Sequence, residues 1–496
     1  MLNKDILIKK YFESHSIIES NIQSFNNFIE VEMQKIVNAF GEVTPTIIPQ
    51  DVQDFKIKFN KIWITKPQLV EADGSKRDVF PCEARLRKLN YSAPIYIDVG
   101  VFMDGVQRET FTTEIGKIPI MIKSKYCHLS NLSEEELIKK GEDPGDYGGY
   151  FILNGNERVL IVVEDLVSNK MFIQKNKTGP SVYTAKIFSE QGPYRIPHVI
   201  EQMKDGIIYL SFTRFKRIPI IVVIKALGLI SDEEIARYMS GDEEYDEIFI
   251  NLYNAVDVKT DEDALDYIAK KIGVMNQPKD IKFERTLESL DKYLLPHLGL
   301  TPADRKLKAY NICKLIKKFF MVSKGGLEPS DKDHYMNKRL KLSGDLLSDL
   351  FMVNFRILIN DLLYNFQRLV KRGKFSSVKI IIRDKLLTSR IQSAMATGAW
   401  VGERKGVSQN IDRINFLASV SHLQRVVSLL GSSQENFEAR ALHSTHWGRL
   451  CAIETPEGTS IGLRKNMAML ANITQAEANE DKIKKSLESL GLNPIK

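Results

Sequence analysis

Two groups of polar side chains contain the residue types that bind metal ions. The first is Asp331, Asp333 and His334, in a segment rich in Gly and Pro, and the second is His443, His446, Cys451 and Glu454. Short polar groups like the first more often cap a helix or bind a neighbouring cation. The spacing of the second fits none of the usual Cys₂His₂ zinc frameworks. A metal site is therefore the less favoured interpretation of both groups.

The segment Glu454-Thr-Pro-Glu457-Gly458 has the composition of a rigid turn. Pro456 fixes its own φ, and Gly458 permits a sharp change of chain direction. We therefore expect Glu457 to be held at the tip of a loop, where its carboxylate can accept hydrogen bonds. A buried turn that only packs is the alternative.

Motifs of self-contained enzymes are missing from the sequence. It contains no GxxxxGK[ST] loop, no GxGxxG turn after a strand, and none of the patterns HExxH, GxSxG and DxDGD. A nucleotidase, protease or hydrolase acting alone is therefore not indicated.

Positive charge is concentrated in one part of the chain. Of 496 residues, 70 are Lys or Arg and 63 are Asp or Glu, which gives a formal net charge of +7. Residues 371–470, here called the basic block, hold 15 basic and 7 acidic residues, a net charge of +8, and the remainder has a net charge of −1. Such a block is typical of a surface that faces a polyanion. A solvated basic face is an equally good interpretation of the charge alone.

The elements that must position these residues are antiparallel strands interleaved with helices. Asp104-Gly105, Asn154-Gly155 and Asp205-Gly206 each separate two runs of alternating apolar residues, which predicts β-hairpins with type I′ turns. Ser231 followed by three acidic residues predicts a helix N-terminus. Apolar residues at helical spacing predict a helix over residues 303–322, through Leu307, Ile312, Leu315, Ile316 and Phe319. They predict a second helix through Leu346, Leu350, Val353 and Ile357.

Length and cysteine content narrow the class of protein. The chain is long enough for about three domains. Its four cysteines form no CxxC pair, which favours a reducing, intracellular setting over a disulfide scaffold. The longest apolar run, residues 218–230, contains Pro219 and Lys225 and is too short to span a bilayer. We also expect no signal peptide at the N-terminus.

Several long motifs resemble the second-largest subunit of multisubunit DNA-directed RNA polymerases, in the order of that family. In the basic block they are TGAWVGERKGVSQ at 397–409, LASVSHLQRV at 417–426, ALHSTHWGRLCAIETPEG at 441–458 and GLRKN at 462–466. Upstream they are ARLRKLNYSAP at 84–94, GKIPIMIKS at 116–124, GGYFILNGNERVL at 148–160, IPIIVVIKALG at 218–228 and DHYMNKRLKLSG at 333–344. The resemblance covers nearly the whole chain.

The resemblance implies a multidomain α+β fold of mixed antiparallel sheets and helices. The expected parts are a first protrusion segment at 1–165, a lobe at 166–342, a second protrusion segment at 343–396, a fork at 397–470 and the start of an external domain at 471–496. Family members typically exceed a thousand residues. The chain therefore resembles a separately encoded N-terminal half, as in the archaeal B double-prime subunit.

The resemblance also implies roles for individual residues. The aspartates that hold the catalytic Mg²⁺ ions are expected in the largest subunit, so no metal ligand or catalytic residue is expected in this chain. The turn at Glu457 is expected beside the growing transcript and the incoming nucleotide. The expected periphery of the active centre is Glu457, Glu454, Gly458 and Arg449. The residues expected near nucleic acid are Arg404, Lys405, Gln409, Arg425, Arg464 and Lys465.

Some of these roles stay open within the resemblance. Arg404 and Lys405 suit phosphate contact because their loop is flanked by Gly. Arg425 and Arg449 are expected either to contact template or transcript, or to pair with Glu454 or Glu457 and brace the fork. Ala452 stands where relatives commonly have proline. The second fork loop, at 429–438, lacks the basic residue often seen there, which argues against strong strand separation by its tip.

The implied function is a non-catalytic subunit of a cytoplasmic RNA polymerase, forming one side of the DNA and RNA cleft. The implied partners are the second half of the split subunit, the halves of the largest subunit, the assembly-platform subunits, template DNA and nascent RNA. No membrane association is expected. The alternative is a free-standing nucleic-acid-binding or assembly protein built on the same scaffold.

Overall fold

The structure is a computed structural model of the 496-residue chain. It describes residues 4–49, 52–71, 73–176, 179–192, 194–240, 245–273, 278–373, 377–402, 404–431, 436–474 and 480–491. Within these ranges, no helix is both long enough and apolar enough to cross a lipid bilayer.

Strands and helices alternate along the chain. The strands are β1 (Glu42–Val43), β2 (Phe55–Ile64), β3 (Gln68–Val70), β4 (Lys76–Asp78), β5 (Ser92–Met103), β6 (Val106–Pro119), β7 (Phe151–Leu153), β8 (Asn156–Leu160), β9 (Val162–Leu166), β10 (Met171–Lys175), β11 (Ser181–Gln191), β12 (Tyr194–Met203), β13 (Ile208–Phe212), β14 (Phe215–Pro219), β15 (Lys338–Lys341), β16 (Ser408–Asn410), β17 (Arg425–Ser428) and β18 (Arg464–Asn466).

The α-helices are α1 (Lys4–Ser14), α2 (Glu19–Asn27), α3 (Met33–Phe40), α4 (Pro81–Leu86), α5 (Glu134–Lys139), α6 (Ile220–Ala226), α7 (Asp232–Ser240), α8 (Asp246–Asn254), α9 (Asp261–Ile272), α10 (Lys279–Tyr293), α11 (Arg305–Ser323), α12 (Ser343–Lys371), α13 (Asp384–Thr397), α14 (Phe416–Leu423), α15 (Phe437–Arg440) and α16 (Glu480–Ser489). A π-helical turn, Phe28–Glu32, joins α2 to α3. Short 3₁₀ turns lie at Pro296–Leu298, Pro302–Asp304, Tyr335–Asn337, Ser444–His446 and Gly458–Ser460.

The chain divides into two compact units. Unit 1 consists of Met1–Glu164 and Leu340–Lys496, and unit 2 is Asp165–Arg339. Unit 2 is therefore an insertion within the sequence of unit 1. The family names expected from the sequence, protrusion, lobe and fork, stay predictions.

Unit 1 is built on a four-stranded antiparallel sheet, in the order β1-β2-β5-β6, with the long helix α12 in the same core. The β5–β6 hairpin turns at Asp104 (φ 52°) and Gly105 (φ 76°), which confirms the predicted type I′ turn. Along β2 the side chains of Phe55, Ile57 and Phe59 are buried, as expected for a strand with one face on a core.

The N-terminus of α12 is packed closely against α2. The hydroxyl of Ser24 accepts a hydrogen bond from the Gly344 amide at 3.1 Å, and the side chain of Asn21 accepts one from the Ser343 amide at 3.1 Å. A Cβ atom at Gly344 would lie 2.0 Å from the carbonyl oxygen of Ser24. Only glycine therefore fits at this crossing.

Two smaller sheets in unit 1 carry the basic block. One has the order β16-β8-β7, and Asn154 (φ 50°) and Gly155 (φ 78°) form the predicted turn between β7 and β8. The other has the order β15-β9-β17-β18, in which β17 is parallel to β9 and antiparallel to β18. These sheets fix segments that are far apart in sequence.

Unit 2 contains a five-stranded antiparallel sheet in chain order, β10 to β14, packed with helices α6 to α11. Asp205-Gly206 joins β12 to β13, as predicted, but only Gly206 has a positive φ, so the turn is not type I′. The apolar run at 218–230 begins in β14 and continues through α6, where Lys225 donates to the Val258 carbonyl at 2.9 Å and pairs with Asp232 at 2.8 Å. The run is therefore core of this unit.

Most of the predicted helical segments are confirmed, but some residues expected in the core are exposed or only partly buried. The hydroxyl of Ser231 caps α7 by accepting from the Glu234 amide at 3.3 Å. In α11, Leu307 is exposed although it was expected in the core, whereas Ile312, Ile316 and Phe319 are buried. On α12, Leu346 and Leu350 are buried as expected, whereas Val353 and Ile357 are only partly buried.

Candidate nucleic-acid interface

In strands β17 and β18, neighbouring side chains point to opposite faces of the sheet. The basic residues of this region are therefore divided between the two faces. Arg425 pairs in register with Asn466, and Val427 with Arg464. Side chains two residues apart share a face, so Arg425 and Arg464 lie on one face, and Val426 and Lys465 lie on the other. The face with the two arginines is here called the arginine face.

Lys465 is turned away from the arginine face into the unit. Its side chain is 9% exposed and forms an ion pair with Glu164, 3% exposed, at 3.1 Å. Glu164 belongs to β9, beside β17 in the same sheet. The nucleic-acid role expected for Lys465 stays a prediction, and this geometry assigns the ammonium group to a buried pair.

On the arginine face, Arg425 is half-buried and Arg464 is exposed. Burial, followed by the nearby positive charge of Arg464, lowers the pKa of Arg425, while Asp412 and Glu454 act in the opposite direction. Two neighbouring positive charges on one face favour the binding of an anion beside them. The arrangement suits the binding of a phosphate group.

Glu454 lies at the edge of this face and is held by neutral donors. The Ser421 hydroxyl donates to Glu454 Oε1 at 2.5 Å, and Asn466 Nδ2 donates to the same oxygen at 2.6 Å. Asn466 Nδ2 also contacts the Ser421 hydroxyl at 2.7 Å. The carboxylate is thereby fixed close enough to influence Arg425.

The segment 454–462 forms the exposed turn that the sequence predicts. Gly458 has φ 78° and begins a 3₁₀ turn, and Glu457 immediately before it is exposed. The Thr455 hydroxyl donates to the Arg464 carbonyl and accepts from the Gly462 amide, both at 2.9 Å. Arg440 closes the turn from outside by donating to the carbonyls of Thr459 and Ile461.

The described part of the loop at 398–406, which leaves out residue 403, is anchored more firmly than its glycines suggest. Trp400 is buried, and its indole Nε1 donates to the Leu346 carbonyl at 2.8 Å. Arg404 is 13% exposed, and its Nη1 lies 4.0 Å from Asp349 of α12. Lys405, by contrast, is exposed. Of the two residues expected to contact phosphate, Lys405 is the one whose side chain is open to solvent.

Gln409 is the middle residue of the short strand β16, and it contacts a buried histidine. Its Nε2 donates to the Gly406 carbonyl at 3.0 Å, and its Oε1 lies 3.3 Å from Nε2 of His422. His422 is on α14, three residues before Arg425, and is 4% exposed. Burial and then the charges of Arg425 and Arg464 lower the pKa of His422 to about 4, against the effect of Asp412.

Neither of the considered metal groups comes together in the part of the chain that the structure describes, which contains no cluster of three or more His, Cys, Asp or Glu suited to a metal ion. Asp331 instead accepts from the amides of Asp333 and His334, at 2.8 and 3.2 Å. His443 Nδ1 accepts from the Thr445 amide at 3.2 Å.

Arg449 is exposed, and its Nη1 donates to the Thr445 carbonyl at 2.9 Å. Pairing with Glu454 or Glu457, one of the two alternatives for Arg449, is not among the ion pairs of the described residues. The second fork loop lies partly outside the described residues, at 432–435.

The structure thus brings together Gln409, Arg425, Arg464 and Glu454, and it places Lys465 and Arg404 in internal pairs. Sequence reasoning missed the residues that organise this site, namely Ser421, His422, Thr455 and Asn466. In the sequence, the one signal that distinguishes Arg464 from Lys465 is the alternation of side chains in a strand, which places these two neighbours on opposite faces.

Comparison with known proteins gives an extended match. Residues 16–389 match the family model described as RNA polymerase beta subunit, and residues 409–473 match RNA polymerase Rpb2, domain 3. The chain is 41% identical to DNA-directed RNA polymerase subunit Rpo2 of Saccharolobus solfataricus over 99% of its own length, but spans only 43% of that protein. It is 40% identical to subunit Rpo2N of Methanocaldococcus jannaschii over 98% of both chains, and 38% identical to Rpo2N of Halobacterium salinarum over 99% of this chain and 96% of that one. The first family model covers well over half of the sequence, and the chain belongs to the RNA polymerase beta subunit family.

Proposed function

We propose that the chain is a subunit of a DNA-directed RNA polymerase and corresponds to the N-terminal part of the second-largest subunit, like the archaeal B double-prime chain. The observation that carries the proposal is the match to Rpo2N of Methanocaldococcus jannaschii, which covers 98% of both chains. The single-chain Rpo2 relative is more than twice as long. The region of Rpo2 that this chain does not match is the first expected partner, followed by the largest-subunit halves and the assembly-platform subunits.

In the assembled enzyme, we assign the arginine face to the phosphate backbone of template or transcript. Arg425 and Arg464 supply two neighbouring positive charges, and Lys405 supplies a third from an exposed loop. Contacts of this kind do not depend on base sequence, which suits an enzyme that copies any template. Glu457, at the tip of a turn held by Thr455 and Arg440, is the carboxylate we place beside the incoming ribonucleotide.

RNA synthesis is a phosphoryl transfer that uses Mg²⁺ to stabilise the attacking and leaving oxygens. The described residues of this chain offer no carboxylate cluster for such an ion. By the resemblance of the chain to the second-largest subunit, we assign the metal-binding aspartates to the largest subunit and no catalytic residue to this chain. Its contribution is to bind and orient nucleic acid, so the isolated chain should not polymerise nucleotides.

Unit 2, Asp165–Arg339, is our candidate for the lobe, and the two segments of unit 1 are our candidates for the protrusion, the fork and the start of the external domain. The expected setting is the cytoplasm, where transcription takes place in cells without a nucleus.

The test is a polymerase reconstituted with variants of the full chain and bound to an RNA–DNA hybrid scaffold. Arg425→Ala with Arg464→Ala should weaken binding and flatten its salt dependence, because about two fewer counterions are released. Glu457→Ala should slow elongation without blocking assembly. Arg237→Ala, in α7 of unit 2, is the matched charge control. An unchanged salt slope together with unchanged elongation would contradict the assignment.

The competing function, a free-standing nucleic-acid-binding or assembly protein, predicts a different result. The purified chain would then bind the scaffold as tightly alone as in the presence of polymerase subunits, and it would not co-purify with them. The match along the whole length of Rpo2N favours the polymerase subunit.

A further inference from the structure

His422, on α14, contacts the stretch of chain that runs from Gln409 to Asp412. Its ring bonds the Asp412 backbone amide and the Gln409 side chain, and α14 is followed directly by the strand that begins at Arg425. The ring is buried, although α14 exposes its other end, where Leu417 is 77% exposed. A buried polar ring in this position must have its hydrogen bonds satisfied within the protein.

The hydrogen bonds determine which ring nitrogen carries the proton. The Asp412 amide donates to Nδ1 of His422 at 3.0 Å, so Nδ1 is unprotonated and the proton is on Nε2. Nε2 then donates to Oε1 of Gln409 at 3.3 Å. The other end of the Gln409 amide donates to the Gly406 carbonyl at 3.0 Å. These bonds form one directed chain from Asp412 to Gly406.

Both ends of this chain are attached to other parts of the unit. Next to Asp412, Arg413 pairs with Glu157 at 2.7 Å and with Asp146 at 3.1 Å, and its guanidinium lies 4.9 Å from the centre of the Tyr150 ring. Gly406, at the other end, closes the loop that carries Lys405. A change in the His422 ring therefore alters the support of that loop.

We propose that His422 is a positioning residue for the nucleic-acid interface: through Gln409 it holds Gly406, and with it the neighbouring Lys405, in register with Arg425 and Arg464. This inference rests on the proposed function, because it assigns His422 a role in the contact with phosphate.

The electrostatic surroundings of His422 support a neutral ring. The charged groups that influence it are Arg425 and Arg464, which oppose its protonation, and Asp412, which favours it. A protonated Nδ1 could no longer accept the Asp412 amide, so the hydrogen-bond chain requires the neutral form. Burial and the two arginines keep the ring neutral at physiological pH.

Replacing His422 by Asn or by Gln tests the two hydrogen bonds of the ring separately, because each amide side chain can keep only one of them. His422→Asn places an amide near the position of Nδ1 and removes the bond to Gln409. His422→Gln places an amide near the position of Nε2 and can still donate to Gln409. Exposed His15→Asn is the control. Each variant is assembled into the polymerase, its affinity for the RNA–DNA hybrid scaffold is measured, and the melting temperature of the full chain reports whether it folds.

His422→Asn should weaken scaffold binding by about threefold to tenfold, the range expected for one lost hydrogen bond. His422→Gln should weaken binding by less than about twofold. Gln409→Ala should reproduce the loss seen with His422→Asn, and the double variant should lose no more than either single one. A purely structural role would give additive losses, or equal losses for His422→Asn and His422→Gln at equal melting temperatures, and would overturn the inference.

A spectroscopic measurement covers the case in which His422→Asn does not fold. In the wild-type full chain labelled with ¹⁵N-histidine, the ring signals of His422 should show a proton on Nε2 and none on Nδ1, and Gln409→Ala should shift the Nε2 signal. The opposite tautomer would overturn the inference.

The arginine variants distinguish failure of this inference from failure of the proposed function. If Arg425→Ala with Arg464→Ala weakens scaffold binding while all His422 variants bind normally, only the positioning role fails. If the arginine variants also bind normally, the proposed interface fails and the role of His422 fails with it.

Discussion

Arg464 and Lys465 are adjacent, carry the same charge and have opposite environments. Strand β18 alternates its side chains between two faces, so Arg464 lies beside Arg425, while Lys465 pairs with Glu164 in the interior. The sequence shows both as basic residues of one motif. The partner of Lys465 is 301 positions away along the chain, and no local pattern indicates it.

The buried ion pair of Lys465 and Glu164 is expected to affect the stability of the protein rather than its binding of nucleic acid. Lys465→Met should destabilise unit 1 by about 3–5 kcal/mol, because it leaves the buried Glu164 carboxylate without this cation. Urea unfolding of the full chain measures the loss, and adding Glu164→Leu to Lys465→Met should recover most of it.

The control for this prediction is Lys405→Met, at an exposed site of the same block, which should change stability by no more than about 0.5 kcal/mol. A Lys465→Met chain as stable as the wild type would show that the pair contributes nothing.

At the scale of elements, the sequence predicted hairpins better than helix faces. Asp104-Gly105 and Asn154-Gly155 have the positive φ values that their residue types favour, because turn geometry is decided locally. Which face of α12 is buried depends on segments that lie far away in the sequence. Phe28 of the π-helical turn contacts Phe351 of α12, and Phe40 of α3 contacts Phe355. Spacing alone therefore found the helix and the buried positions Leu346 and Leu350, but it chose the partly buried Val353 and Ile357. It missed that Phe351 and Phe355 belong to the buried face.

The contact between α12 and α2 can be tested at its narrowest point. Gly344→Ala would place a Cβ atom 2.0 Å from the Ser24 carbonyl oxygen, so one helix must move away. We expect a loss of about 1–3 kcal/mol or more in the free energy of unfolding, as for overpacked sites. Asn360→Ala, at an exposed position of the same helix, should leave stability within about 0.5 kcal/mol of wild type. Equal stability of the two variants would contradict the close packing.

At the scale of the whole molecule, the charge of the basic block is partly neutralised by acids from outside it. Arg383 pairs with Asp361, Arg404 with Asp349, Arg413 with Asp146 and Glu157, and Lys465 with Glu164. The net charge of +8 therefore overstates the charge available to a ligand. Part of it binds the block to the rest of unit 1, and the remainder, which includes Arg425, Arg464 and Lys405, is available at the surface.

The buried His198 of unit 2 and the buried His422 of unit 1 make the stability of the chain sensitive to acid. His198, in unit 2, donates from Nδ1 to the Ile196 carbonyl and accepts the Leu295 amide at Nε2, both at 3.1 Å. Burial lowers the pKa of His198 to about 4, and His422 in unit 1 has a similar value. The unfolded chain keeps histidine pKa values near 6.5. Between about pH 6.5 and 4 the unfolded state therefore binds more protons, and stability falls as the pH decreases through that window.

The difference between pKa values of about 6.5 and 4 corresponds to about 3 kcal/mol for each histidine, fully present above pH 6.5 and lost near pH 4. Urea unfolding at pH 7, 5.5 and 4 measures it. His198→Gln, which keeps hydrogen-bonding groups but does not titrate, should lose about 3 kcal/mol less than wild type between pH 7 and 4. The exposed His15→Gln should follow the wild-type profile. Because carboxylates titrate equally in all three chains, an identical pH dependence for His198→Gln and wild type would show that His198 is not held neutral by its burial.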